Sequence, residues 1–292
     1  MTMNDSIRRR KALFMFIASM LIFGTIGVFR RYIPLSSGFL TFSRGLLGGL
    51  FMLCFTLLKR RGGQISLPFR VFARLAAAGA CIGVNWILLF EAYNHTTIAV
   101  ATLCYYMQPT IVTVLSCLLF KERMTWKKAA CAFLSLVGMA LISGVLGGGQ
   151  GGDVRGVLLG LGAAAFYAAV VIQNKRLTGI DPYQKTTVQL LSAGLVMVPY
   201  LAFTGGFAVG DLSLRAVLLL AAVGIVHTGI AYALYFAGME GMKLQSIAMF
   251  SYIDPVSALL FSFLLLREPL SLSSILGAAL ILGSAAFSEG GS

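Results

Sequence analysis

Hydrophobic positions in this chain form long runs, separated by short connections that hold most of the charged residues. A run of roughly 20 apolar residues is long enough for an α-helix to cross the hydrocarbon core of a bilayer. The pattern therefore predicts an all-α polytopic membrane protein with ten transmembrane helices. The runs cover residues 12–29, 38–58, 71–93, 98–120, 126–146, 154–173, 183–203, 213–238, 244–266 and 272–287.

The basic residues are divided unevenly between the two sets of connections. With the N-terminus inside, 17 of the 23 Lys and Arg residues fall on the inner side and five on the outer side, while Arg44 falls within the second run. Cytoplasmic loops of membrane proteins carry such an excess of Lys and Arg. The asymmetry predicts a multi-pass protein of the cytoplasmic (inner) membrane of a prokaryote, with both termini in the cytoplasm.

Composition excludes a soluble fold, because 58% of the 292 residues are hydrophobic and only 11% are charged. The net charge of +13 follows from the basic connections, so we expect a lipid bilayer and no nucleic acid as partner. No small-residue cleavage site follows the basic segment 8–11, which we interpret as the start of a retained first helix. The five cysteines lack CxxC spacing and predict neither a disulfide nor a metal site.

The second half of the chain repeats the first. A shift of 146 residues places Tyr106 on Tyr252 and Pro109 on Pro255 without a gap. Five helices per repeat is an odd number, so the second repeat must insert upside down; transporters built this way bind substrate near the midplane, between the repeats. We predict a first five-helix repeat at 1–146, a Gly-rich connection at 147–153 and a second, inverted five-helix repeat at 154–292, arranged around a central cavity.

A doubled motif gives the chain a resemblance to a known family. In each half a proline is followed by a glutamate thirteen residues later and by a small residue nine further on: Pro109, Glu122 and Cys131, then Pro255, Glu268 and Gly277. In this motif, its helix count and its repeat, the chain resembles the EamA type of the drug/metabolite transporter (DMT) superfamily. The resemblance implies a cavity lined by helices one, three, four, six, eight and nine. Helices five and ten stand outside it and serve dimerisation in some relatives.

One carboxylate falls deep within a predicted span. Asp254 lies about ten residues inside the ninth run, where an acid is costly unless it is paired, protonated or hydrated. We predict that it binds substrate or carries a coupling proton; the alternative is a structural acid beside Pro255. Its repeat counterpart Gln108 is neutral, so this pair offers at most one proton site. His227, within the eighth run, is a second candidate for proton transfer, or else a hydrogen-bonding residue between helices.

Aromatic residues recur at matching levels of the two repeats, and the shift pairs Trp86 with Tyr232. Rings around one cavity can stack on an apolar group or, with Asp254 or Glu91, enclose an organic cation. Helix packing and anchoring at the membrane interface are the alternative roles. The predicted substrate-binding residues are Asn85, Trp86, Tyr105, Tyr106, Gln108, Tyr167, His227, Tyr232, Tyr235, Tyr252 and Asp254, and the predicted proton-coupling residues are Asp254 and His227.

The other charges at membrane depth favour structural roles. Arg44, some six residues inside the second helix, needs an anionic or carbonyl partner, or else reaches the headgroups with its long side chain. Glu91 is placed at the outer rim of the third helix. Glu122 and Glu268 begin the loops before helices five and ten, so we interpret them as helix-end or loop-capping groups.

Together these patterns predict a secondary active transporter that moves a small organic metabolite by alternating access. An amino acid or related compound is the expected substrate, export the expected direction, and protons or counter-substrate the driving force. The alternative is an importer of an organic cation, such as a quaternary ammonium compound, held in an aromatic cage. ATP-driven transport within the chain is excluded because no nucleotide-binding motif is present, and singly placed charges argue against an enzyme. We expect no cofactor and no metal, and a monomer or a homodimer.

Overall fold

The computed structural model describes residues 3–59, 67–120, 125–142, 153–177, 179–207, 213–239 and 250–289, and within these ranges every regular element is helical. The predicted Gly-rich connection up to residue 152, and Glu122, lie outside the described residues. The helices are α1 (Met3–Gly24), α2 (Ile26–Tyr32), α3 (Ser37–Lys59), α4 (Phe69–His95), α5 (Ile98–Tyr105), α6 (Gln108–Phe120), α7 (Trp126–Ile142), α8 (Val154–Lys175), α9 (Pro182–Leu195), α10 (Met197–Thr204), α11 (Leu214–Ala221), a π-helical segment (Ala222–Ile230), α12 (Ala231–Met239), α13 (Ile253–Leu266) and α14 (Leu272–Glu289).

Within the described ranges, six continuous helical stretches are long and apolar enough to cross a membrane. The remaining four predicted runs contain shorter apolar helices, at least over the described residues, so their crossing of the bilayer stays a prediction. The six long stretches are Arg10–Tyr32, Ser37–Lys59, Phe69–His95, Val154–Asn174, Pro182–Thr204 and Leu214–Met239, and the shorter ones are Ile98–Val112, Ala129–Leu141, Ile253–Leu266 and Leu272–Ser284.

Three of the predicted runs are interrupted shortly before a proline, at Pro109, Pro199 and Pro255. Proline has no backbone N–H, and its ring clashes with the carbonyl group four residues earlier, so a continuous helix is disfavoured there. In each case the preceding helix ends at the residue four positions before the proline. The proline itself lies in the first turn of the next helix, where backbone N–H groups have no partner within the helix. The last helical residues before the interruptions are Tyr105, Leu195 and Ser251.

Helices of the first half pack mainly on helices of the second half. The contacts join α3 with α9, α4 with α8 and α9, α5 with α13, and α7 with α14. The contacts follow the sequence repeat, in which α4 corresponds to α12 and α8 corresponds to α1. α4 packs against α8 and, in the same way, α12 packs against α1. This pattern is consistent with two structural repeats around a central space.

Glycine allows the closest approach of backbones between α3 and α9. A Cβ atom added to Gly45 would lie 2.5 Å from the backbone nitrogen of Gly194 and 2.7 Å from its Cα. In lipid there is no hydrophobic driving force for helix association. Small residues at the contact allow close van der Waals packing, which stabilises the helix pair instead. The same interface holds a hydrogen bond between the hydroxyl groups of Thr56 and Thr187, 3.1 Å apart.

Candidate functional site

A cavity of about 300 Å³ lies between the two halves. Its lining comes from helices of the first, third, fourth, sixth, eighth and ninth runs, as the resemblance implied, and from Arg44 of α3. Among the described residues, α7 and α14 contribute nothing to this lining and pack against each other instead. The volume is at the lower end of the range for small-molecule sites, so it fits a compact ligand.

Nine of the eleven predicted substrate-binding residues line this cavity. They come from five separate stretches of sequence, and the fold brings them together between the repeats. Asn85 and His227 do not belong to the lining, and their role in substrate binding stays a prediction. The nine are Trp86, Tyr105, Tyr106, Gln108, Tyr167, Tyr232, Tyr235, Tyr252 and Asp254.

Asp254 occupies the first turn of α13, directly after the helix interruption at Tyr252. A carboxylate is favoured at a helix N-terminus, because the backbone N–H groups there have no partners within the helix. The hydroxyl group of Tyr106 donates a hydrogen bond of 2.5 Å to Asp254 Oδ2. The interruption thus places a partly exposed carboxylate in the cavity wall, held by a residue of the other half.

Gln108 takes the corresponding position in the first half, as the first residue of α6. Its side chain lines the same cavity, and its Oε1 atom is buried without a hydrogen-bond partner. The two broken helices therefore place an acid and an amide residue in the wall of one cavity.

The aromatic residues of the lining form edge-to-face pairs. The ring centre of Tyr105 lies 5.6 Å from that of Tyr106 and 5.6 Å from that of Tyr167. On the other side, Phe23 of α1 lies 5.2 Å from Tyr232. Edge-to-face geometry fixes ring orientation and leaves other faces available for a ligand. The repeat indicated the tyrosines, but Phe23 carried no signal that distinguishes it from an ordinary core residue.

Arg44 also lines the cavity, although the sequence favoured a structural role for this residue. Its side chain is 6% exposed, its guanidinium carbon lies 3.9 Å from the ring centre of Trp86, and its Nε donates a 2.8 Å hydrogen bond to Thr228 Oγ1. It lines the cavity rather than extending to the headgroups. An arginine within an apolar run was a visible signal, but its direction depends on how α3 packs.

The π-helical segment Ala222–Ile230 presents Thr228 to Arg44, and His227 to Thr25 between α1 and α2. Such wider turns are often found at functional sites. The His227 ring lies with Nδ1 3.3 Å from the carbonyl oxygen of Ala222 and Nε2 2.9 Å from Thr25 Oγ1. The Thr25 hydroxyl group donates its one hydrogen to the carbonyl oxygen of Ile22 at 2.8 Å, so it acts as an acceptor toward Nε2. Both ring nitrogens thus lie within hydrogen-bonding distance of oxygen atoms of the helices.

Asn85 is fully buried and joins α4 to α8. Its Nδ2 donates a 2.6 Å hydrogen bond to the carbonyl oxygen of Ala163. This is the interhelical role that polar residues commonly have within membranes. Among the described residues, no group of three or more His, Cys, Asp or Glu side chains is placed to hold a metal ion.

Glu268 lies apart from the cavity and is a capping group, as predicted. Its carboxylate accepts a 3.0 Å hydrogen bond from the backbone N–H of Ile98, the first residue of α5, and a second from the Ser262 hydroxyl group. Arg31 completes the cluster with an ion pair of 2.7 Å. One carboxylate thus ties α2, α5 and the end of α13 together.

Glu91 belongs to a polar group near the end of α4. Its Oε2 accepts hydrogen bonds from Ser37 at 2.8 Å and from Asn94 at 3.1 Å. Its side chain is 43% exposed and faces His95 at 3.5 Å. It does not line the cavity, in agreement with its predicted position at the rim.

Comparisons with known proteins identify similar chains. The sequence pattern of the EamA-like transporter family matches residues 10–144 and again residues 154–289. "Uncharacterized transporter YxxF" of Bacillus subtilis is 28% identical over 257 residues, which cover 87% of this chain and 82% of that protein. "Uncharacterized inner membrane transporter YicL" of Salmonella typhimurium is 27% identical, with 94% of each chain covered. A solved structure described as "Crystal structure of protein" shares the fold, with a TM-score of 0.66, 22% identity and coverage of 95% of this chain and 96% of that one.

Proposed function

Because the chain belongs to the EamA-like transporter family and is a multi-pass membrane transporter, we propose that it is a secondary active transporter of a small organic metabolite. The proposed substrate is an amino acid or a related compound, and the proposed direction is export across the inner membrane. The observation that carries this proposal is the position of Asp254, at the start of a broken helix and in the wall of a cavity shared by both halves. Secondary transporters bind substrates and coupling ions at such interruptions near the midplane.

The proposed mechanism is alternating access between two inverted repeats, 1–146 and 154–292. Two observations support this mechanism. Corresponding helices of the two halves make corresponding contacts, and the family pattern matches each half separately. A cavity whose walls come from both repeats changes its access when one repeat rocks against the other. Both termini are proposed to lie in the cytoplasm, as the distribution of Lys and Arg favours.

Asp254 is the proposed coupling residue. Its carboxylate lies in the cavity wall and accepts a hydrogen bond from Tyr106 of the other half. Uptake and release of a proton at Asp254 therefore change a contact between the two halves. His227 remains a second candidate for proton transfer, although the engagement of both ring nitrogens in helix contacts favours Asp254.

Import of an organic cation is the second candidate function. The tyrosine-rich lining with Asp254 favours it, because aromatic faces and a carboxylate together bind quaternary ammonium groups. Arg44 opposes it, since a second cation in the same cavity repels such a ligand.

Flux through the purified full chain in proteoliposomes tests the proposal. Vesicles are loaded with buffer, a pH gradient of either sign is imposed, and movement of labelled amino acids is compared with movement of choline and tetraethylammonium. Amino-acid flux that responds to the gradient supports the proposal. Flux of the cations alone favours the second candidate, and absence of all flux above that of protein-free vesicles contradicts both.

A further inference from the structure

Arg44 contributes a positive charge to the cavity that no carboxylate among the described residues neutralises by direct contact. Its Nε bonds to Thr228, while its two terminal nitrogens make no hydrogen bond with the described residues and are not sealed off from the cavity. A guanidinium group has five N–H donors, so four remain for a ligand. This side chain is nearly buried and therefore gains much from an anionic partner.

The surroundings of Arg44 hold its guanidinium group in place. Trp86 lies under the guanidinium plane at 3.9 Å, and Thr228 Oγ1 accepts from Nε while donating to the carbonyl oxygen of Val223 at 2.9 Å. The bond to Val223 spans five residues and belongs to the π-helical segment, so this wider turn positions the hydroxyl group. A fixed guanidinium fork binds a carboxylate in a bidentate manner with little loss of side-chain entropy.

Asp254 brings a negative charge to the same cavity without pairing with Arg44. Its Oδ2 accepts from Tyr106, and the two charged groups form no ion pair of 4.0 Å or less. Opposite charges that share a cavity but do not neutralise each other are suited to a ligand that carries both signs.

We propose that Arg44 binds the carboxylate of a zwitterionic substrate whose ammonium group is bound by Asp254. This inference rests on the proposed function and defines its substrate class as compounds with an α-ammonium and a carboxylate group. The guanidinium group of Arg44 already occupies one face of the Trp86 ring, which disfavours binding of a quaternary ammonium group at that face.

The test combines changes in the protein with changes in the ligand. The full chain in detergent is screened by thermal unfolding against the twenty proteinogenic amino acids. The amino acid with the largest stabilising effect is then titrated beside its decarboxylated amine, using the wild type, Arg44→Gln and, as control, Arg215→Gln. Arg215 is exposed and its guanidinium lies over the ring of Tyr32, away from the cavity, so this control removes the same charge elsewhere.

We expect Arg44→Gln to weaken binding of the amino acid at least tenfold and to leave binding of the amine unchanged or stronger, while Arg215→Gln changes neither. A structural role for Arg44 predicts equal losses for both ligands, and this result would overturn the inference. If Arg44→Gln does not fold, Thr228→Val keeps the guanidinium but removes its support at Nε. We then expect a threefold to tenfold loss for the amino acid alone, and an equal loss for the amine overturns the inference.

Two further outcomes separate this inference from the proposed function. Stabilisation by choline or tetraethylammonium, with none by any amino acid, overturns the zwitterion site and leaves secondary transport standing. Binding of amino acids that depends on Arg44, together with no flux in proteoliposomes, supports the site and contradicts the transport proposal.

Discussion

The hydroxyl group of Tyr106 donates to Asp254 Oδ2 over 2.5 Å, and this hydrogen bond joins the helix interruptions of the two halves in the cavity wall. Tyr106 lies directly after α5, in the interruption before α6, and Asp254 lies in the first turn of α13. Their counterparts under the repeat, Tyr252 and Gln108, line the same cavity. The acid of one half is therefore bound by the other half, so a change in its protonation alters a contact between the two.

Replacing Asp254 by Asn removes the proposed proton site and keeps the side-chain shape. We expect Asp254→Asn to abolish uptake driven by a pH gradient in proteoliposomes, while exchange of substrate across the membrane is partly retained. The control is Asp153→Asn, outside the cavity, because Asn caps a helix as well as Asp does. Transport that keeps its full dependence on pH in Asp254→Asn would rule out the coupling role.

Tyr106→Phe removes the hydrogen bond to Asp254 and retains the acid. A hydrogen bond to a charged group contributes about 1.5–3 kcal/mol, so we expect proton-driven transport to fall by about ten- to a hundredfold. Dependence on the pH gradient should persist, because the titrating carboxyl group is still present. Initial rates measured beside those of Tyr32→Phe, an exposed tyrosine, provide the comparison, and equal rates in both variants would contradict this prediction.

Glu268 and Arg31 form one ion pair, yet we expect their removal to have unequal effects on stability. Glu268→Ala leaves the buried backbone N–H of Ile98 without an acceptor, which costs about 1–3 kcal/mol. Arg31 is 45% exposed, and such pairs contribute about 0.2–1 kcal/mol. Thermal unfolding in detergent should therefore show a larger loss for Glu268→Ala than for Arg31→Ala. Equal losses would mean that the capping bond contributes little.

Gly45→Ala tests the close contact of α3 with α9. The added Cβ would meet backbone atoms of Gly194 at 2.5 and 2.7 Å, so the helices must move apart, at a cost of about 1–3 kcal/mol. Gly283→Ala is the matched control, because nothing lies within 4 Å of its added Cβ. Alanine is the better helix former by about 0.5–1 kcal/mol, so the control should be neutral or stabilising in thermal unfolding. A stable Gly45→Ala variant would show that α9 adapts.

The periodic signals of the sequence located most of the candidate site. Asp254 and Gln108 were identified because an acid and its repeat counterpart stood beside prolines in apolar runs, and both line the cavity. Asn85 and His227 were chosen by residue type and depth alone, and their side chains bond to other helices instead. A polar residue within a membrane span can line a cavity or form a hydrogen bond to another helix. Its type and its depth do not distinguish these two positions, because a polar group is used in both.

The sequence by itself determined the helical runs, the repeat and the interruptions before the prolines, because these depend on hydrophobic length and on local backbone chemistry. Only the tertiary structure decided which polar groups share the cavity. Arg44 changed from a presumed structural residue to a cavity residue, because the packing of α3 against Trp86 and the π-helical segment fixes the direction of its side chain. The direction of a side chain such as that of Arg44 depends on contacts between segments that are distant in sequence. The hydropathy pattern alone does not predict these contacts.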